Sequence, residues 1–325
     1  MMTRKVFGLL FVCAGVALNA QGTPSPALLV LSKVDQTLSI VDPASLKVLS
    51  RIPTGPDPHE VVASTDGRFA YVSNYGGGTY HTLAIADLVA QKALPAVDLG
   101  ALNGPHGLAF VGGKVWFTAE PAKAIGRYDP ASGKIDFVLG TGQDRTHMIW
   151  VSDDLTRIVT SNVNAATMSL IEKGRTDWSE TVVPVGKGAE GFDVSPNGKD
   201  IWAANAQDGT ISILDFANKR VTETLAANVA GANRLKFTPD GRFVLVSSLR
   251  GPDVAVFDAA THRELRRVRV GTGAAGIQMQ PDGARAYVAC SPDNYIAVID
   301  LKSWEVVGRI DAGKNPDGLA WAVRR

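Results

Sequence analysis

A repeat constrains this chain more than any other feature. A short apolar strand, a tight turn and a second strand recur along its length. The plainest copy is Ala189-Glu190-Gly191-Phe192-Asp193-Val194, the turn Ser195-Pro196-Asn197-Gly198, then Ile201-Trp202-Ala203-Ala204-Asn205. Each copy opens on a residue pair whose second members stand at 59, 106, 147, 190, 233, 275 and 317, giving spacings of 47, 41, 43, 43, 42 and 42. A period near 42 with four strand signals per unit predicts an all-β propeller, one four-stranded blade per unit.

Each unit reads alike. The apolar strand a is followed by turns such as Thr65-Asp66-Gly67, Pro239-Asp240-Gly241 and Pro281-Asp282-Gly283. Gly supplies positive φ, Pro presets φ, and Asp or Asn bonds its own backbone. Strand b follows (Ala70-Tyr71-Val72-Ser73, Val115-Trp116-Phe117-Thr118), then an alternating strand c (Thr210-Ile211-Ser212-Ile213-Leu214-Asp215) and a polar strand d (Arg220-Val221-Thr222-Glu223-Thr224-Leu225), which belongs on the outer edge. The C-terminal stretch Gly318-Leu319-Ala320-Trp321-Ala322-Val323 supplies only a strand a, and the N-terminal strands from Leu28 to Ile52 read as b, c and d without one. Together they make a seventh blade that closes the ring, so residues 21–325 are expected to form one seven-bladed domain.

The residues Tyr71-Val72-Ser73-Asn74, with Tyr287-Val288-Ala289 as a second copy, resemble the repeat of the YVTN-type β-propeller family over the whole chain beyond its first 20 residues. That resemblance implies the fold; propellers of this kind include surface-layer proteins, lactonase-like enzymes and ligand-binding modules. Gly104-Pro105-His106-Gly107-Leu108-Ala109 also resembles the repeat of streptogramin-lyase propellers. In that family a channel-face metal and a His base open a lactone ring by elimination, which implies such roles for His106, His147 or Glu190. Similarity to gluconolactonase-like propellers implies carboxylate and Asn metal ligands, for which Glu190, Asn162, Asn205 and Asp317 are the candidates.

Composition limits the partners. Arg4 and Lys5, the apolar run Val6–Leu18 and Asn19-Ala20-Gln21-Gly22 read as a secretory leader cut near Ala20. The run is too short to span a bilayer, so the expectation is a periplasmic or secreted protein with no transmembrane segment. The chain has 33 Lys and Arg against 32 Asp and Glu, and the leader carries two of those cations and no anion, which leaves −1 afterwards. A balance this even argues against nucleic acid as a partner. Only Cys290 follows the leader, which excludes an internal disulfide and covalent c-type haem. A monomer with a small-molecule or protein partner is the expectation.

The opening pairs carry the candidate site. Strands a and b are antiparallel, and strand a lines the channel, so His59, His106, His147, Glu190, Asn233 and Asp317 should meet at one mouth. Asn74, Glu120, Asn162 and Asn205, at the ends of four strands b, should sit behind them. Three of the five histidines occupy equivalent places in consecutive units. Converging imidazole, carboxylate and carboxamide groups suit a divalent metal, with His59, His106, His147, Glu190 and Asp317 as ligands, or a polar ligand. The first unit carries a surplus in its b–c connection, Asn74 to His81, where Tyr75, Tyr80 and His81 could cover a ligand over a three-glycine run. The two alanines Ala274-Ala275 break the polar set, so a ligand should sit off-centre, toward the histidines.

Overall fold

The computed structural model describes residues 22–324 and is a seven-bladed β-propeller. Among the described residues, 28 strands form seven four-stranded antiparallel sheets. The blades begin at strands a Pro58–Ala63, Pro105–Val111, Thr146–Val151, Ala189–Val194, Ala232–Phe237, Ala274–Met279 and Pro316–Ala322, numbered here as blades 1 to 7. In blade 7 the C-terminal strand pairs with Ala27–Ser32, with Ala27 opposite Ala322 and Leu29 opposite Ala320. The first and last described strands thus share one sheet, and neighbouring inner strands touch all the way round.

No single core holds the ring. The buried apolar side chains fall into seven clusters, one at each blade-to-blade interface. Trp116 and Trp202, each 1% exposed, wedge between blades 2 and 3 and blades 4 and 5. Their repeat-equivalent places in strand b explain this: each sheet is apolar on both faces because each face meets another blade.

The detail that positions the site is a bulge repeated in every inner strand. Pro58 pairs with Asn74 and Val61 with Val72, so His59 and Glu60 together oppose Ser73. The same two-against-one count sets His106 and Gly107, His147 and Met148, Glu190 and Gly191, Asn233 and Arg234, Ala275 and Gly276, and Asp317 and Gly318 against single residues of strand b. A bulge breaks the alternation of a strand and re-aims its side chains. Each first bulge residue therefore turns toward the mouth instead of into a blade interface.

Hydroxyls in strand b pin these bulges across blades. Ser73 Oγ donates to the carbonyl of His106 at 2.9 Å, Thr118 Oγ1 to that of His147 at 2.7 Å, Ser161 Oγ to that of Glu190 at 2.7 Å, and Ser247 Oγ to that of Ala275 at 2.9 Å. Each hydroxyl belongs to the residue opposite its own blade's bulge and holds the first bulge residue of the next. Where the second bulge residue is Gly107, a Cβ would lie 2.6 Å from the His147 carbonyl oxygen, so the close blade approach requires glycine.

Candidate functional site

All seven first bulge residues, His59, His106, His147, Glu190, Asn233, Ala275 and Asp317, line one cavity of about 260 Å³ at the channel mouth. The imidazoles form an arc. The ring of His106 lies 4.7 Å from that of His59 and 3.7 Å from that of His147, centre to centre, with Tyr75 edge-on to it at 5.0 Å. The facing wall, with Leu249, Gly273, Ala275 and Pro292, carries no charge.

The three histidines have different partners. Lys33 reaches in from the b–c turn of blade 7; its Nζ lies 2.9 Å from His59 Nε2 and 2.6 Å from Asp317 Oδ2. An ammonium can only donate, so His59 accepts at Nε2, and the proton of its neutral ring falls on Nδ1, which faces Asp57 at 3.5 Å. His147, 1% exposed, sits between two carboxylates. Its Nδ1 is bonded to Glu120 Oε1, and its Nε2 lies 3.1 Å from Glu190 Oε1, an ion-pair distance without a hydrogen bond. His106, 2% exposed, has a buried Nδ1 with no partner at all.

These surroundings drive the two adjacent rings apart. Burial, then the neighbouring His147, holds His106 well below the ordinary histidine value, so it is neutral. Burial acts against charge on His147 too, but the carboxylates of Glu190 and Glu120 outweigh it and raise its value. Glu190 and Glu120 answer in kind: burial pushes both up, while His147 and the nearby guanidiniums hold both below the usual carboxylate value.

Glu120 is itself held in place. Its Oε2 accepts from the Tyr75 hydroxyl at 2.5 Å and faces Arg145 Nε at 3.5 Å. Below the mouth, Arg234 crosses the channel from blade 5 to Glu60 of blade 1, with Nη2 and Nε at 2.6 and 3.3 Å from Glu60 Oε1. Both are second bulge residues, which point along the channel. Arg234 touches the mouth cavity and also a smaller one of about 150 Å³ toward the opposite end, so the ion pair partitions the channel.

Among the described residues, His106, Glu120 and His147 form a group that could hold a metal ion, with one ligand atom from each lying within 4.8 Å of the others. The wider expected ligand set does not converge in this way: Lys33 occupies both His59 and Asp317, and Glu190 joins only through His147. Tyr75 belongs to the site through Glu120. Tyr80 and His81 do not line the cavity: Tyr80 packs over Gly76, and His81 pairs with Asp98 at 2.8 Å on the surface.

The asparagines that end strands b turn away from the channel. Asn162 donates to Thr167 and Ser169, Asn205 to Thr210 and Ser212, and Asn74 to the carbonyls of Thr54 and Pro56. Each sits opposite a residue before the bulge, where the side chain meets its own blade's strand c or the preceding connection. Cys290 is buried, which pushes its thiol up to about 11, so it is no thiolate at neutral pH. No described helix is long and apolar enough to cross a membrane, and the expected leader lies outside the described residues.

Lys33, Glu60, Arg145 and Arg234 escaped sequence reasoning. The only signal for Glu60 and Arg234 was that they replace the glycine that other copies carry after the opening pair.

The fold and this mouth define the class: a seven-bladed propeller with a charged, histidine-lined channel mouth. No protein-family model matches the chain, and no curated protein does. Solved structures do. A functionally unknown protein from Desulfotomaculum acetoxidans is 15% identical over 93% of this chain and 100% of its own, with a TM-score of 0.77. A candidate 6-phosphogluconolactonase from Bacteroides uniformis is 16% identical over 91% of this chain and 99% of its own, also at 0.77. Dihydro-heme d1 dehydrogenase NirN, in complex with DHE, is 14% identical over 90% of this chain and 65% of its own, at 0.67. At such identities the likeness establishes the fold alone, and the resemblance to YVTN-type repeats rests on this chain's own residues.

Proposed function

We propose that this propeller binds a small polar molecule at the histidine-bearing mouth of its channel. Convergence carries the reading: seven equivalent residues line one cavity, and a fully enclosed imidazole there, His106, keeps an unpaired ring nitrogen. Such a nitrogen costs roughly 1–3 kcal/mol, which a ligand's hydrogen bond recovers. At ~30 Å³ per water, about 260 Å³ holds eight or nine waters, or an organic molecule of about ten non-hydrogen atoms. Hydroxy acids and their lactones are of this size. The ligand lies toward His59, His106 and His147, because the Ala275 wall has no charged group to offer it. The same reading takes residues 1–20 as an export leader and the propeller as a monomer outside the cytoplasm.

A second reading, a metal-dependent lyase or lactone hydrolase, is favoured by one observation. An imidazole with a free buried nitrogen, His106, lies 3.7 Å, centre to centre, from one flanked by two carboxylates, His147. An ion held by His106, Glu120 and His147 would supply Lewis acidity toward a carbonyl oxygen, and Glu190, 3.1 Å from His147 Nε2, would be the group to move a proton. The structural likeness to a candidate 6-phosphogluconolactonase and the Gly-Pro-His-Gly stretch both point the same way.

Calorimetry and thermal shift with small hydroxy acids and lactones test the first reading, and turnover of the same lactones tests the second. Binding that His106→Ala removes supports the mouth as the site. If no compound binds at millimolar concentration and His106→Ala is silent, the mouth is a scaffold that packs or docks a partner protein.

A further inference from the structure

We infer that His106, Glu120 and His147 form a site for one divalent ion of the nitrogen-preferring transition series, the zinc, cobalt and nickel class, rather than for magnesium or calcium. The inference rests on the reading of the mouth as a binding site but requires no organic ligand. Three independent observations carry it. The first is donor convergence, with a buried nitrogen or oxygen from each of the three residues within 4.8 Å of the others. The second is the orphaned Nδ1 of His106, a buried imidazole nitrogen with no partner in the protein.

The third is charge. The carboxylates that pair around the mouth are Asp57, Glu60, Glu120, Glu190 and Asp317; the fixed cations that meet them are Lys33, Arg145 and Arg234. Five carboxylates against three cations leave −2, which a divalent ion cancels.

The donor set selects the class of ion. Two imidazoles and one carboxylate suit zinc, cobalt and nickel, whereas magnesium and calcium prefer oxygen ligands throughout. Orientation is already supplied: the Tyr75 hydroxyl and Arg145 hold the far oxygen of Glu120, as the partners behind metal-bound carboxylates do. His106 and His147 face the cavity, which gives the ion access. His59 stays outside the group, since its Nε2 already accepts from Lys33.

The test uses the full propeller purified without an affinity tag and stripped with chelator. Zinc, nickel, magnesium and calcium salts are titrated separately by calorimetry, and cobalt is followed by its visible d–d absorption. The expected result is one equivalent of zinc or nickel, a cobalt spectrum of a nitrogen- and oxygen-ligated ion, and little heat from magnesium or calcium. His106→Ala and Glu120→Gln should weaken zinc by about 100-fold or more, and His59→Ala by only a few-fold. If His106→Ala does not fold, Glu120→Gln together with the wild-type cobalt spectrum decides. No zinc binding at millimolar concentration, equal affinity for calcium, or a His59→Ala loss as large as that of Glu120→Gln overturns the site. Because the ions are titrated alone, failure of the organic-ligand reading leaves this result standing, and the converse holds.

Discussion

One mouth has two arcs built on the same backbone. From His59 through His106 and His147 to Glu190, the first bulge residue of each blade carries a polar ring or a carboxylate. At Ala275, with Leu249 and Gly273 beside it, the same bulge presents a methyl group. The hydroxyl lock is common to both arcs, since Ser247 holds the Ala275 carbonyl as Thr118 holds that of His147. Strand geometry therefore sets where a side chain points, and one residue per blade decides what chemistry stands there. The arcs differ in substituents, not in architecture.

That contrast can be broken at both ends. The largest effect is expected for His147→Ala, which removes the imidazole between Glu120 and Glu190 and leaves Arg145 beside the two carboxylates. Breaking a buried ion pair on one side costs about 3–5 kcal/mol, read by urea unfolding against wild type. A loss below about 1 kcal/mol would mean that the polar arc gains nothing from its central imidazole.

On the bare arc the sensitive position is Gly276, where a Cβ would collide with the backbone carbonyl of Asp317 in blade 7. Gly276→Ala should cost about 1–3 kcal/mol through strain alone, with no dependence on salt or pH. A pH-dependent loss would show that this arc, too, is held by charge.

Protonation sharpens the comparison within the polar arc. His147 is raised in the folded protein, so its contribution is complete below the unfolded value of about 6.5 and is lost as pH rises through the raised value. His106 is lowered, so its contribution is present above about 6.5 and is lost as pH falls through the lowered value. Unfolding curves of His106→Asn should therefore fall less steeply than wild type on the acid side. A steeper fall would reverse the assignment of which ring is neutral.

The smallest effect is expected for Ala275→His. The bulge aims the new ring into open cavity, so stability should change by no more than about 0.5–1 kcal/mol in a melting experiment. The ligand is placed on the histidine side, so its affinity should change little. A large loss of affinity would put the ligand against the Ala275 wall instead.

Much of this was legible because a propeller repeats its instructions. The 42-residue period, the Pro-Asp-Gly-like turns and the unpaired strands at the two ends predict seven blades and a closed ring, and strand pairing shows both. The opening pairs marked the mouth for the same reason: equivalent residues of equivalent blades must lie at equivalent places. One position away, the direction of a side chain was not legible. Asn162 and Asn205 recur as regularly as the histidines, yet their amides turn to hydroxyls of their own strand c. Periodicity reports position along a blade and not the face a side chain takes once a bulge has broken the alternation.

Sequence alone determined the ring, its closure and the seven residues that meet at one mouth, since all three follow from short-range pattern repeated at a constant period. Which of those residues is charged, which is orphaned and which is already paired was decided only by tertiary structure. His147 meets Glu120 and Glu190 from the blades on either side, and Arg234 meets Glu60 across the channel, 174 residues away in the chain. Charge and proton affinity depend on distance through space in a dry cavity, and the closing of the ring sets those distances.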